Sequence, residues 1–474
     1  MIAEAGAILV AGKPLLREQS VSLRNPWDGA EIAQISQANE EDATAACESA
    51  AAAFLETRAL ASWKRAEILN RIAELVAARA EELALGIVLE AGKPIRDARA
   101  EVRRSVQTFR VAAEEAKRIS GEVLPLDWTP GSEGRAGFVR RFPIGPILGI
   151  TPFNFPINLV AHKIGPAIAS GNPIIIKPAP QTPLTALSLG RIVVEAGWPS
   201  GALSVLPCSN EVAAAMLHNE HIRMLSFTGS AAVGWELRAQ APKKRVVLEL
   251  GGNAACIVHR DADVELAAKK IVAGGFTYAG QSCISVQRVF AHAEVREALL
   301  AAIVAKVKAL VVGDPRNEET QVGPMISRAA ADRAHSWVME AVAAGARMLV
   351  GGEQEDGLLR PVVVTDVAPE SKLACEEVFA PVIFVNSYTN FSDVLKTVND
   401  SRYGLQAAVF TRDWEVMTEA WNTLEVGAVL INEATAWRAE HMPYGGVKDS
   451  GIGREGLRPA IESMTEPRML VVNL

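Results

Sequence analysis

The chain has 474 residues, of which 49% are hydrophobic and 22% are charged. This balance supplies enough apolar side chains for large buried cores and excludes a disordered protein. The 48 Lys and Arg against 55 Asp and Glu give a formal net charge of −7, which argues against a protein that binds nucleic acid by neutralising phosphates. At roughly 150 residues per domain, the length predicts about three domains, and enzymes of this size often have two large ones.

Cysteine usage and the chain start bear on the compartment. The chain has five Cys, with no CxxC pair and no Cys/His spacing of a zinc site, which excludes a disulfide scaffold, predicts no metal centre and indicates a reducing cytoplasm. Residues 1–14 contain Glu4 and no basic lead-in, so they do not look like a signal peptide. The longest uncharged stretch, 142–162, is interrupted by prolines and predicts neither a spanning helix nor a membrane partner.

The first part of the chain predicts short strands and then long helices. In chain order, the predicted elements are strands and turns over 1–37, a helix capped by Asn39, a helix over about 62–91 ended by Gly92, a helix over about 97–119 and a strand over 137–143. Asn39 precedes three acidic residues, which favour a helix N-terminus, and a Gly followed by Lys-Pro ends a helix.

From residue 144 onwards, short apolar runs alternate with helical stretches. The runs are ILGIT, PIIIKP, ALSVLP, MLSFTGS and RVVLELGG, with helices over about 157–169 and 182–196 among them, and a second alternating set follows from 254 to about 432. Because parallel strands need crossover helices and are buried on both faces, this alternation predicts an α/β fold with a doubly wound sheet.

Four of the five cysteines are predicted to be small buried side chains, namely Cys47, Cys208, Cys256 and Cys375. Cys283 differs because it lies in GQSCIS, between glycine and small polar residues that leave its sulfur reachable by a substrate. The local sequence leaves a nucleophile and a buried thiol equally open, since a reactive cysteine needs partners.

Other candidates lie where predicted strands end. Glu249 is followed by two glycines, and open α/β sheets place ligands at the carboxyl ends of strands. Asn154 in TPFNFP is a candidate oxyanion donor, although Asn is common in turns. Ser230 in FTGS sits at a helix start and predicts either a phosphate contact or an ordinary N-cap. Lys177 ends a strand and predicts either a ribose or phosphate contact or a solvated side chain.

In combination, these motifs resemble those of the aldehyde dehydrogenase superfamily over nearly the whole chain. In family order they are TPFNFP, KPA, FTGS, ELGGN, GQSC, EEVFAPV and PYGGVKDSGIGREG. The resemblance implies that Cys283 attacks an aldehyde and that Asn154, with the backbone N–H of Cys283, forms the oxyanion hole. It further implies that Glu249 activates the water that releases the acid from the resulting thioester.

The resemblance also implies NAD or NADP as cofactor. The positions matched to cofactor contacts are Thr151, Pro152, Phe153, Lys177, Gly229, Ser230, Gly251, Glu377 and Phe379. Many NAD-preferring relatives carry a Glu three positions after the motif Lys, where this chain has Pro180. The missing carboxylate removes a repulsion from a 2′-phosphate, so we expect NADP to be tolerated or preferred.

The expected substrate pocket includes His162, Arg438, Arg103 or Arg104, and Phe155. Basic side chains there would suit a small anionic or hydroxylated aldehyde, such as a semialdehyde, lactaldehyde, glyceraldehyde 3-phosphate or a phosphonate aldehyde. The alternative is that these arginines form salt bridges at the surface. A coenzyme A-acylating relative and a catalytically silent structural relative are the competing functions, and the presence of Glu249 speaks against the first.

The implied architecture is a Rossmann-like cofactor domain, an α/β catalytic domain and a small β oligomerisation element. The expected boundaries are 1–119 and 141–247, 248–449, and 120–140 with 450–474. An apolar strand at the chain end, 468–474, needs a partner edge, which another subunit could supply. Family members are usually homodimers or homotetramers, and the sequence does not choose between them.

Overall fold

The computed structural model describes residues 6–473. In chain order the strands are β1 (Ile8–Val10), β2 (Lys13–Leu15), β3 (Ser20–Arg24), β4 (Glu31–Ser36), β5 (Glu122–Pro125), β6 (Arg135–Pro143), β7 (Ile147–Ile150), β8 (Ile174–Lys177), β9 (Leu203–Val205), β10 (Met224–Thr228), β11 (Arg245–Glu249), β12 (Ala255–Val258), β13 (Arg288–His292), β14 (Arg347–Val350), β15 (Gln354–Glu355), β16 (Leu358–Leu359), β17 (Val362–Thr365), β18 (Val382–Tyr388), β19 (Tyr403–Gly404), β20 (Gln406–Phe410), β21 (Ala428–Ile431), β22 (Val447–Lys448), β23 (Gly451–Ile452) and β24 (Thr465–Asn473). Residues 1–5, which belong to the segment that argues against a signal peptide, and residue 474 of the predicted final strand lie outside the described residues.

Helices separate most of these strands. They are α1 (Glu40–Thr57), α2 (Ser62–Ala78), α3 (Ala80–Ala91), α4 (Ile95–Ala116), α5 (Asn158–Ser170), α6 (Pro183–Glu195), α7 (Asn210–His218), α8 (Ala231–Ala239), α9 (Val264–Phe276), α10 (Arg296–Lys308), α11 (Arg328–Ala343), α12 (Lys372–Cys375), α13 (Phe391–Asn399), α14 (Trp414–Thr423) and α15 (Leu457–Ser463). Two 3₁₀ helices cover Ser200–Ala202 and Thr277–Gly280. None of the helices in the described part of the chain is long and apolar enough to cross a membrane.

The first large sheet has the order β2-β1-β9-β8-β7-β10-β11-β23. Its central strands, from β9 to β11, pair in parallel. In β8, Ile174 and Ile176 pack into one apolar cluster and Ile175 into another, so both faces of the sheet are covered. This arrangement explains why the strands are continuous apolar runs.

The second large sheet has the order β14-β17-β18-β13-β12-β20-β21 and is parallel except at β14. A single large core cluster, which contains Val289, Ile383 and Val409 among others, surrounds it. The α/β fold with a doubly wound cofactor-type sheet and a second α/β unit is therefore confirmed. The predicted domain boundaries remain a prediction.

A third sheet, of order β24-β6-β5, carries the chain end. The predicted C-terminal strand is present, but β24 pairs with β6 of the same chain along its length, from Thr465 opposite Pro143 to Asn473 opposite Arg135. The partner edge that the sequence analysis assigned to another subunit is thus supplied within one chain.

Local predictions were correct where a capping residue marks the boundary. Asn39 forms a reciprocal capping box with Asp42 at the start of α1, and Gly92 ends α3 with φ +63°. The single helix expected over 62–91 is wrong, because the chain leaves helical geometry at Arg79, with φ −107° and ψ 22°. Neither Gly nor Pro marks this break, and the Arg79 side chain instead pairs with Glu195 of α6 at 2.6 Å.

The cysteine predictions hold for Cys47, Cys208 and Cys256, which are buried. The prediction for Cys375 is wrong, because it ends the short helix α12 and is exposed, with its thiol donating to the carbonyl oxygen of Pro369 at 2.9 Å. Cys283 is half-buried.

Candidate active site

The main cavity lies where the first sheet changes direction. The chain runs from β7 to β8 and β9 on one side, whereas β10 and β11 lie on the other side of β7, so the loops after β7 and β10 diverge. Open α/β sheets bind ligands at this switch point, beyond the carboxyl ends of the strands. A cavity of about 290 Å³ there is lined by Arg104, Asn154, Phe155, Glu249, Cys283, Glu377, Phe379, Arg438 and Tyr444, among others.

Cys283 follows the 3₁₀ turn that leaves α9. The backbone turns sharply before Cys283, because Tyr278 and Ala279 both adopt left-handed φ angles, at 49° and 51°. The Cys283 Sγ lies 3.0 Å from the hydroxyl oxygen of Tyr444. Burial raises the pKa of the Cys283 thiol to about 12, and the Tyr444 hydrogen bond opposes that rise. The thiol therefore needs nearby donors before it can act as a thiolate nucleophile near neutral pH.

Asn154 lies on the loop between β7 and α5 and is buried. Its Nδ2 donates to the carbonyl oxygen of Gln281 at 3.0 Å, which ties the amide to the loop that carries Cys283. Since a carboxamide nitrogen has two hydrogens, this bond leaves one for a further acceptor. The amide is thus fixed beside the sulfur by a bond that does not use its full donor capacity.

A buried ion pair holds the backbone of the Asn154 loop. Lys93 Nζ donates to the Asn154 carbonyl oxygen at 2.7 Å and also pairs with Glu101. Glu101 Oε1 in turn accepts from the backbone N–H groups of Ile157 and Asn158, at 3.1 and 3.2 Å. Because Lys93 and Glu101 are each only 1% exposed, the loop is clamped from within the protein.

Glu249 ends β11 and points into the cavity with 3% of its surface exposed. Neither of its carboxylate oxygens has a hydrogen-bond partner within the described residues. Burial, with a smaller effect from the Glu455 carboxylate, raises the pKa of Glu249 well above its usual value. A buried, unpaired carboxyl group of this kind is suited to take up and release a proton.

The two glycines at 251 and 252 allow the Glu377 side chain and the Cys283 backbone to approach the chain closely. A Cβ at Gly251 would lie 2.4 Å from Glu377 Oε2, and a Cβ at Gly252 would lie 2.3 Å from the Cys283 carbonyl oxygen. Glu377 Oε1 accepts from the backbone N–H of Gly252 at 2.9 Å. Phe379, two residues on, has φ +52° and meets Phe153 edge to face, with ring centroids 5.9 Å apart.

Charged side chains form a network at the far side of the cavity. Glu440 Oε1 lies 2.6 Å from Arg104 Nε, and Glu440 Oε2 lies 2.5 Å from His162 Nε2. Arg438 Nη2 lies 3.1 Å from the same nitrogen of His162. Burial, followed by the Arg438 charge, lowers the pKa of His162.

Only some of the residues expected in the substrate pocket line the cavity. Arg438 and Phe155 line the cavity, whereas His162 is buried and contacts Arg438 instead. Arg103 is exposed on α4 and does not line the cavity, and the next residue, Arg104, lines it instead. The helical rotation of about 100° between successive residues separates the two arginines.

A second cavity of about 580 Å³ adjoins the first. The two share Thr228, Pro152, Phe153, Gly229 and Ser230, and the second also contains Thr151, Lys177 and Pro180. Lys177 is buried, which lowers its pKa. Ser230 occupies the N-cap position of α8, but its hydroxyl makes no capping bond there. Gly251 lines the first cavity beside Glu377.

A model of the aldehyde dehydrogenase family matches residues 16–470. The chain belongs to this family. It is similar to the 3-sulfolactaldehyde dehydrogenase of Priestia aryabhattai, with 44% identity over 96% of this chain and 95% of that protein. It is also similar to the structure of aldehyde dehydrogenase 21 from Physcomitrella patens in complex with the reaction product succinate, with 42% identity, 98% of both chains covered and a TM-score of 0.97.

A second structural relative is glyceraldehyde-3-phosphate dehydrogenase GapN from Methanocaldococcus jannaschii DSM 2661, complexed with NADP. It is 37% identical, with 97% of this chain and 100% of that chain covered and a TM-score of 0.93. The protein is an NAD(P)-dependent aldehyde dehydrogenase, which confirms the expected family, reaction class and cofactor type.

Sequence reasoning missed several residues of this dehydrogenase that the structure brings to the cavity. Tyr444 lies within a quoted motif, but nothing in the sequence singles out its hydroxyl. In the sequence Lys93 is only part of a Gly-Lys-Pro helix stop, and nothing there singles out Glu101. Glu440 lies two residues after Arg438, and that spacing was the one available hint of a charge network. Within residues 6–473, no group of three or more potential ligand side chains is placed to hold a metal ion.

Proposed function

We propose that this dehydrogenase oxidises a small aldehyde that carries a negative charge or hydroxyl groups, and releases the free acid by hydrolysis. The observation that carries the proposal is the position of Arg104 and Arg438 in the wall of the cavity that contains Cys283. Arg104 is the more accessible of the two, with its side chain 33% exposed. A guanidinium at the wall of such a cavity favours carboxylate, sulfonate or phosphate groups.

In the proposed reaction, the Cys283 sulfur attacks the aldehyde carbon. The Nδ2 group of Asn154 and the backbone N–H of Cys283 donate to the oxygen as it gains charge, which contributes about 3 kcal/mol to lowering the barrier. The bound cofactor supplies a hydride acceptor. Glu249 then removes a proton from the water that attacks the thioester, and Cys283 leaves as the product acid departs.

The paired cavities fit a dinucleotide that reaches from the first sheet to Cys283. The buried ammonium group of Lys177 and the free Ser230 hydroxyl at the start of α8 would hold the adenosine ribose and the pyrophosphate. Glu377, with Phe379 beside it, would hold the nicotinamide ribose near Cys283. The backbone of Thr151, Pro152, Gly229 and Gly251 and the ring of Phe153 would complete the surface.

Two observations support tolerance of NADP. Pro180 lines the second cavity in the place where a Glu would repel a 2′-phosphate. The structure of the Methanocaldococcus jannaschii relative holds NADP. We therefore expect kcat/KM for NADP to equal or exceed that for NAD, and a strong preference for NAD would refute this part of the proposal.

The substrate class is supported by named relatives. These include the 3-sulfolactaldehyde dehydrogenase and, at 37% identity over 96% of this chain, an aspartate-semialdehyde dehydrogenase from Pseudomonas canavaninivorans. Both names describe a small aldehyde with an anionic group. The cavity of about 290 Å³ suits a substrate of that size.

The test compares anionic aldehydes with neutral aldehydes of equal length, by following reduced cofactor without added coenzyme A. For Arg104→Gln, we expect KM for succinate semialdehyde to rise roughly tenfold, with little change in kcat and none for a neutral aldehyde. The matched control is Arg103→Gln, one residue away and exposed outside the cavity. Equal effects of the two substitutions would contradict the proposed anion site, and dependence on coenzyme A would contradict hydrolysis.

We further infer a cytoplasmic homodimer or homotetramer. Its support is the third sheet, which exposes the apolar side chains of Val123, Phe138, Met469, Leu470 and Val471. Such a cluster on a sheet edge is typical of an interface between subunits. Measurement of the solution mass, with Leu470→Glu as a disrupting variant, tests this assignment.

A further inference from the structure

Tyr444 is placed to act on the sulfur of Cys283. It is 4% exposed, and its hydroxyl oxygen lies 3.0 Å from the Cys283 Sγ. Its backbone is fixed by an antiparallel bridge to Glu455, in which the Tyr444 N–H donates to the Glu455 carbonyl at 3.0 Å. The bridge fixes the backbone from which the buried phenol reaches the sulfur.

The Tyr444 hydroxyl acts toward a Cys283 thiolate as a hydrogen-bond donor. Burial raises the pKa of Tyr444 well above its usual value, so the hydroxyl keeps its proton. A phenol that stays neutral can donate to a sulfur that has lost its own proton, and a charge-assisted bond of this kind is stronger than one between neutral groups. The Tyr444 hydroxyl thus favours the charged form of Cys283 over the neutral thiol.

The cation of Arg438 lies against the ring of Tyr444. The Arg438 guanidinium carbon is 3.9 Å from the centroid of the Tyr444 ring. Arg438 is itself held by His162 at 3.1 Å and lines the cavity, with only 6% of its side chain exposed. A positive charge against the ring draws electron density from the phenol and makes its O–H a better donor.

We propose that Tyr444 is a further catalytic residue of the dehydrogenase, which donates a hydrogen bond to the Cys283 thiolate under the influence of the Arg438 cation on its ring. No covalent bond changes at Tyr444, because the phenol retains its proton while Cys283 loses its own to water. The inference deepens the proposed function and rests on it, since it assigns a role toward the proposed nucleophile.

The test measures the reactivity of Cys283 without any aldehyde or turnover. The full-length protein is alkylated with iodoacetamide between about pH 6 and 11, and modification of the Cys283 peptide is followed by mass spectrometry. In Tyr444→Phe we expect the alkylation rate of Cys283 to fall roughly ten- to hundredfold at each pH in this range, because the fraction of thiolate falls by that factor when the thiol loses a hydrogen-bond donor. The ring and its contact with Arg438 remain in this variant.

Tyr388→Phe is the matched control, because Tyr388 is also buried but its hydroxyl has no partner among the described residues. It should leave the alkylation rate of Cys283 unchanged, and the buried Cys256 reports within each sample on the integrity of the fold, because it stays unmodified while the protein is folded. An unchanged alkylation rate of Cys283 in Tyr444→Phe, or a faster one, would overturn the proposal.

If Tyr444→Phe does not fold, 3-fluorotyrosine incorporated at position 444 decides, because its more acidic hydroxyl is a stronger donor. Faster alkylation of Cys283 would support the proposal, and an unchanged or slower rate would overturn it. A failure of the proposed function is separate, because it would appear as retained dehydrogenase activity in Cys283→Ala.

Discussion

The two adjoining cavities are built by different means. The second cavity, which we assign to the cofactor, is formed by strand ends, tight turns and a helix start within short segments such as 150–153 and 227–230. The first cavity, which we assign to the aldehyde, is walled by charged side chains from segments far apart in the chain, including Arg104, Arg438 and Glu455. Backbone geometry is encoded in contiguous motifs, whereas a network of side chains depends on how distant segments meet.

The difference extends to electrostatics. In the first cavity the cations already have carboxylate partners, namely Glu440 for Arg104 and Glu455 for Arg438, at 2.6 and 3.9 Å. Glu249 stands apart because its oxygens have no partner in the described chain. The aldehyde side is therefore a balanced network with one uncompensated acid, which makes its chemistry sensitive to single substitutions.

The largest expected effect on activity is that of replacing Glu249. Glu249→Gln should lower steady-state turnover roughly 10²- to 10⁴-fold, because the amide cannot take a proton from water. The first turnover should survive, so a burst of reduced cofactor should precede the stall in a rapid-mixing experiment. Unaltered steady-state turnover would contradict the role assigned to Glu249.

The next effect tests the clamp under the Asn154 loop. Lys93→Met leaves the Glu101 carboxylate buried without its cation, which should cost about 3–5 kcal/mol in the free energy of unfolding. We also expect kcat to fall roughly a hundredfold, because the loop that carries Asn154, the proposed oxyanion donor, loses an anchor.

The double variant Lys93→Met/Glu101→Gln separates the two consequences. It should recover much of the stability, as measured by denaturant unfolding, while kcat stays low. Recovery of kcat together with stability would show that the pair does no more than stabilise the fold.

A smaller change is expected in the second cavity. Pro180→Glu should lower kcat/KM for NADP roughly tenfold and leave that for NAD within about twofold, because the new carboxylate repels a 2′-phosphate. Pro180→Gln supplies the uncharged control. If both variants lower kcat/KM for NADP equally, the backbone of the turn, and not a charge at position 180, sets the preference between NADP and NAD.

The smallest effect is a pH dependence at the junction of the cavities. Burial raises the pKa of Glu377 to about 7, so this side chain is protonated below that pH and a carboxylate above it. A carboxylate is the better acceptor for ribose hydroxyls, so KM for the cofactor should rise a few-fold as pH falls from about 8 to 6. Glu377→Gln should flatten this dependence, and an unchanged slope in that variant would assign it to another group.

The same contrast explains what could be predicted from the sequence. The doubly wound sheets followed from apolar runs bounded by Gly and Pro, and the capped ends at Asn39 and Gly92 followed from local chemistry. The break at Arg79 did not, because neither Gly nor Pro marks it and the sequence carries no other local signal for it. Likewise, the apolar run at the chain end predicted strand β24, but it did not predict the pairing of that strand with β6 of the same chain.

At the site, contiguous motifs identified Cys283 after the 3₁₀ turn, Asn154 in the loop after β7 and Glu249 at the end of β11. They did not distinguish Arg103 from Arg104, since a one-residue choice on an amphipathic helix depends on the packing angle of that helix. Nor did they reveal Tyr444, because a phenyl ring and a phenol fit the same apolar pattern and only the neighbouring sulfur makes the hydroxyl matter.

The proposed reaction forms a covalent acyl intermediate on Cys283 in the first cavity. The most direct measurement is peptide mass spectrometry of Glu249→Gln after rapid quenching with succinate semialdehyde and NADP. We predict an acyl adduct on the peptide that contains Cys283, formed only when the cofactor is present. An adduct on Cys375 or another cysteine, or turnover in Glu249→Gln without any adduct on Cys283, would contradict the account.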